Sequence, residues 1–96
     1  MSVVVVGGDF LGGIEKNLYS IGVKDLVHIS GRKTLDRNKV NVPKGTTFIL
    51  VLTDFVNHST AKQAKLVAKA QSVPLVFAKR SWRSVEEKLK ECNFIK

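Results

Sequence analysis

Val3-Val4-Val5-Val6-Gly7-Gly8-Asp9-Phe10-Leu11-Gly12-Gly13 is the stretch on which the reading of this chain turns. Four consecutive valines make a short strand with apolar side chains on both faces, as a central strand of a parallel sheet requires. The paired glycines let the chain turn sharply and bring backbone N–H groups close to a ligand. Leu11, Ile14, Leu18 and Ile21 then recur at helical spacing, which predicts a helix over 10–21 ending near Gly22. Strand, glycine turn and helix together aim a helix N-terminus at an anion. From Gly8 the glycines read Gly-x-x-x-Gly-Gly, which is neither the dinucleotide fingerprint nor a Walker loop. The turn therefore indicates a class of site without naming a cofactor.

Working outward, Lys24–Ile29 reads as a second strand. The segment 30–45 is polar and basic, with Arg32, Lys33, Arg37, Lys39 and Lys44 against Asp36. A loop of that length in so short a chain is usually functional or mobile. Thr46–Leu52 is the most apolar run and reads as another central strand. A second helix follows, capped by Asn57 or Ser59 and running to about Gln71. Its inner face is Ala61, Ala64, Val67 and Ala68, and Lys62, Lys65 and Lys69 lie on its flank. Ser72-Val73-Pro74 closes that helix, and 74–78 is the fourth strand. Ser84-Val85-Glu86-Glu87 has the form of a capping box, which predicts a third helix from Ser84 to about Glu91. Val85 and Leu89 would face inward, with Cys92 a small core residue beyond them.

The order β-α-β-loop-β-α-β-α predicts an α/β fold: a small three-layer domain over residues 1–96, with a four-stranded parallel sheet in the order 2-1-3-4 and three helices. Ligands of open α/β sheets bind beyond the C-terminal strand ends, where the strand order reverses. That edge collects Gly7, Gly8 and Asp9 after the first strand. His28, Ser30, Gly31 and Arg32 come from the second, and Thr53, Asp54, Asn57 and His58 from the third. The fourth supplies Lys79, Arg80, Ser81 and Trp82. These groups suit a phosphate: glycine N–H groups to cradle it, and Arg32 or Arg80 to contact it bidentately. Trp82 either stacks on a base or packs beneath the third helix. Asp54 either binds a ribose hydroxyl, a metal-bound water or an Arg such as Arg80, or only holds the turn after the third strand. His28, Asp54 and His58 lack metal-motif spacing, and no nucleophile elbow is present.

Sixteen Lys and Arg against eight Asp and Glu give a net charge of +8, which favours an acidic partner. The first expectation is a non-enzymatic module that binds a nucleotide or other phosphate-bearing small molecule. The alternative is a nucleic-acid-binding or phage-type interaction protein that uses the 31–44 loop and the Lys79–Arg83 turn as a basic surface. A metal-dependent hydrolase or transferase is a third. No run reaches the roughly 20 apolar residues of a membrane span, and the first residues lack the basic region of a signal peptide. With the single cysteine, Cys92, these features make a cytoplasmic location the expectation. Exposed outer strands of so thin a sheet predict a homodimer.

Four segments in order carry a family resemblance: Val-Val-Val-Gly-Gly near the start, His28-Ile29-Ser30-Gly31-Arg32, Thr53-Asp54-Phe55-Val56-Asn57-His58, and Val76-Phe77-Ala78-Lys79. The chain resembles the bacterial and phage family catalogued as domain of unknown function 2325. That resemblance implies a compact Rossmann-like, flavodoxin-like half domain and no settled reaction.

Overall fold

A computed structural model describes residues 1–8, 10–29, 42–54, 56 and 58–95. The elements run β1 (Ser2–Val6), α1 (Gly13–Ser20), β2 (Asp25–Ile29), β3 (Phe48–Leu52), α2 (His58–Gln71), β4 (Leu75–Ala78) and α3 (Trp82–Glu91). All strand pairs are parallel, in the order β2-β1-β3-β4. The register sets Val3 beside Leu26 and Phe48, and Leu52 beside Ala78.

Two-residue alternation divides the central strands between two cores. Val3, Val5, Phe48, Leu50 and Leu52 face the layer formed by α1 and α3, where Ile14, Leu18, Val85 and Leu89 close over them. Val4, Val6, Ile49 and Val51 face the other way, against Ala64 and Ala68 of α2. Every residue of β3 is fully buried, as its unbroken apolar run requires. The small α2 side chains let that helix lie close to the sheet. Phe94, beyond α3, seals the first core with its ring centroid 4.6 Å from that of Phe48.

All three helices stop in the same way. Gly22, Ser72 and Asn93 take φ values of 109°, 55° and 63°. Each donates its N–H to the carbonyl three residues back: Tyr19, Lys69 and Lys90, respectively. The next residue, Val23, Val73 or Phe94, donates to the carbonyl of Leu18, Ala68 or Leu89 at 2.9–3.1 Å. This is the Schellman arrangement, and it turns each chain end back onto the sheet. Proline was the expected stop for α2; the left-handed Ser72 makes the turn, and Pro74 follows it.

Three local expectations are corrected. Helix α1 begins at Gly13, three residues later than predicted, because Gly12 takes φ 54° and breaks helical geometry. Phe10 is left 79% exposed. Helix α3 begins at Trp82, with Ser81 as N-cap accepting from the Ser84 N–H at 3.2 Å. Ser84 reaches back instead, accepting from the Lys79 N–H at 3.1 Å. Starting two residues before Ser84 lets Trp82 join Val85 and Leu89 on the apolar side. Cys92 caps the C-terminus of α3 and is exposed, so it is no core residue.

These caps make separable predictions. Ser81→Ala should lower stability by about 1 kcal/mol, whereas Glu87→Ala should change it by less than about 0.5 kcal/mol. Ser72→Gly should raise stability by about 0.5–1 kcal/mol, by removing left-handed strain that exceeds the entropy cost of glycine. Urea unfolding of the three variants checks all of this.

Candidate functional site

At the C-terminal edge, β1 leads directly into the glycine turn. Gly7 and Gly8 are buried, with φ values of 116° and 72° that favour glycine. Three neighbours hold this turn. The Gly7 N–H donates to the Ile29 carbonyl at 2.8 Å. The sheet register sets His28 beside Val5, on the side of α1 and α3. Its imidazole Nε2 lies 2.9 Å from the Gly7 carbonyl and 3.1 Å from that of Gly8. Both partners are acceptors, so Nε2 carries the hydrogen.

Arg80 is the third neighbour. Its side chain lies across Gly8: a Cβ on that residue would come within 3.4 Å of Arg80 Nε and 3.8 Å of Leu52 Cδ1. The guanidinium then donates to the Phe10 carbonyl, through Nε at 3.0 Å and also through Nη2. The Arg80 backbone N–H meanwhile donates to Asp54 Oδ1 at 2.8 Å. Asp54 thus holds the β4–α3 turn through the main chain of Arg80 and leaves the guanidinium to the glycine loop. Thr53 ties the same two strand ends, donating its N–H to the Ala78 carbonyl at 2.9 Å and its hydroxyl at 3.4 Å.

The remaining expected site residues separate into three groups. Lys79 is exposed at the end of β4, Ser81 is spent as the cap of α3, and Trp82 is half-buried against the core. His58 is the exposed first residue of α2. Asp9, Ser30, Gly31, Arg32 and Asn57 lie outside the described residues, as does the 31–41 part of the basic loop. Among the described residues, no three His, Cys, Asp or Glu side chains stand close enough together to hold a metal ion. His28 instead turns its ring to the glycine carbonyls.

A cavity of about 220 Å³ opens between the first turns of α1 and α3, lined by Leu11, Gly12, Gly13, Ile14, Asn17, Arg80 and Trp82. Gly12, at the N-cap of α1, has no side chain to offer the first turn, and the Ile14 N–H donates to the Leu11 carbonyl at 3.0 Å. The dipole of α1 sets partial positive charge at this cavity, beside Arg80. Gly12, Gly13 and Asn17 were not among the expected site residues. Their signal was the second glycine pair, which read as part of a helix. A larger cavity, of about 520 Å³, lies at the opposite edge against Val42, Lys44, Gly45, Thr46 and the end of α2. Among the described residues of its lining, Lys44 is the one ionic side chain. The smaller cavity is the better candidate, because it joins a helix N-terminus to a cation at the edge where the strands end.

The bracket around the glycine turn has measurable weight. Gly8→Ala should destabilise the protein by about 1–3 kcal/mol through its positive φ. His28→Ala should cost about 1–2 kcal/mol, by releasing two carbonyls from their shared donor. Chemical denaturation should show the Gly8→Ala penalty persisting in an Arg80→Ala background, because the strain lies in the backbone.

The chain was also compared with known proteins. No curated protein and no solved structure matches it. A family model does match, over residues 2–92, from the first strand to the end of α3. The chain belongs to that family, described as an uncharacterized protein conserved in bacteria (DUF2325).

Proposed function

We propose that the protein is a binding module for a phosphate-bearing, nucleotide-like ligand, with the phosphate seated at the N-terminus of α1. One observation carries this reading: the first turn of α1, Arg80 and Trp82 line a single cavity. An anion there gains from the helix dipole and from a neighbouring cation. Size limits what enters. Sites for whole drug-sized ligands run to roughly 300–1,000 Å³, and this cavity holds about 220 Å³. It suits a phosphate group, with the rest of the ligand outside, where the exposed Phe10 ring offers an apolar surface. Arg80 already ties β4 to the glycine loop, so phosphate binding would stiffen a connection between two strand ends. That supports a sensing role over catalysis.

Thermal unfolding in inorganic phosphate, pyrophosphate, mononucleotides and short oligonucleotides tests this at two salt concentrations. A ligand at a hundred times its Kd adds about 2.7 kcal/mol, which is roughly ten degrees or more in a domain of this size. The expected outcome is a rise with one small phosphate compound that survives moderate salt. Asn17→Asp places a carboxylate in the cavity near a helix N-terminus, where it does not harm folding. It should weaken binding at least tenfold and leave the ligand-free midpoint unchanged. A rise seen only with oligonucleotides and lost in salt would support the basic-surface reading instead. No rise with any compound would overturn both.

A further inference from the structure

Among the described residues the sheet ends at β4, which pairs with β3 on its inner side. The carbonyls of Pro74 and Ala78 accept from the N–H groups of Ile49 and Thr53 on β3. Alternation therefore turns the backbone groups of Val76 toward β3 and those of Leu75 and Phe77 outward. Phe77 is 37% exposed on this rim. Lysines surround it. Lys65 of α2 sits over the Phe77 ring, its Nζ 5.4 Å from the centroid. Lys79 and Lys88 line a shallow groove of about 290 Å³ on the other flank, with Phe77 between them. Lys62 and Lys69 share the helical stripe of Lys65. Lys88 meets Glu91 at 3.4 Å in an exposed pair of little strength, and Asp54 lies beside the groove with its Oδ1 engaged by the Arg80 N–H.

We propose that the β4 edge is a docking strip for an acidic, extended peptide segment of a partner protein, added to the sheet as a fifth strand. Outward N–H and C=O groups supply the pairing, as in other strand additions, and the lysines select the charge of the incoming chain. Two other occupants fit less well. A second copy of this chain would bring Lys65, Lys79 and Lys88 against their own counterparts, which is how edge lysines block self-pairing. A nucleic acid would meet the lysines through its phosphates and leave the outward backbone groups of β4 without strand partners. Only an acidic strand uses both the backbone groups and the lysines.

The test is titration of isotopically labelled protein, followed by amide resonances. The probes are a ten-residue peptide alternating glutamate with valine, the same peptide with lysine for glutamate, and a ten-residue thymidine oligonucleotide. The acidic peptide should shift the amides of Leu75 and Phe77. Lys65→Glu combined with Lys88→Glu should weaken it at least tenfold. Phe77→Pro should do the same, since it removes an outward N–H and spares the ladder to β3. If Phe77→Pro fails to fold, the exposed charge reversals still decide the matter. The proposal is overturned if the lysine peptide binds equally well, if the charge reversal leaves binding unchanged, or if no peptide moves these amides. It is equally overturned if the oligonucleotide moves them in place of the acidic peptide, or if sedimentation shows the protein pairing with itself through β4.

Discussion

Two adjacent strands, β1 and β3, carry apolar side chains on both faces, and neither face can be left to water. Val3–Val6 and Phe48–Leu52 are each no more than 1% exposed. At roughly 25 cal/mol per Å² of apolar surface removed from water, covering both sides outweighs any single polar contact in the molecule. That requirement makes helices lie on each side of the sheet. It also makes the connections cross over, and parallel strands with right-handed crossovers then set all C-terminal strand ends along one edge. The location of the candidate site is thus a consequence of burial, settled before any polar residue is placed.

Polar side chains at that edge join turns to one another. His28 holds the carbonyls of Gly7 and Gly8, Asp54 holds the main chain of Arg80, and Arg80 crosses Gly8 to reach Phe10. Gly8 is central to this network. A Cβ there would meet Arg80 Nε at 3.4 Å, an ordinary contact, so the φ of 72° is what calls for glycine. Further along the chain, Gly12 takes φ 54° and breaks the chain direction just before α1.

The flank of the sheet at β4 contrasts with the core. Its strand is only four residues long and is surrounded by lysines from α2, α3 and its own end. Basic charge is often a solubility device. Here it stands beside outward backbone groups and a half-exposed phenylalanine, so its effect depends on the sign of what approaches. The +8 net charge of the chain acquires a local meaning only through that placement.

Much of the architecture was legible in the residue order. The valine run, the 46–52 run and the alternation of strands with helices determined an α/β sheet in the order 2-1-3-4, because two-face burial leaves few other arrangements. Gly22 as a helix stop and the edge holding His28, Asp54 and Arg80 were legible for the same reason. Helix starts were less so. Ser81 and Ser84 are both good caps by composition, and packing of Trp82, Val85 and Leu89 against the sheet chose the earlier one. Cys92 has core-forming chemistry, yet it falls where α3 ends and the chain turns outward. Only the tertiary structure decided which polar groups join turn to turn and which cavity remains. Asp54 and Arg80 are 26 residues apart, and Arg80 and Phe10 are 70. No local pattern records which atom of an arginine a distant carboxylate will meet. Sequence by itself determined which residues must leave water; three-dimensional packing decided which of the others would meet.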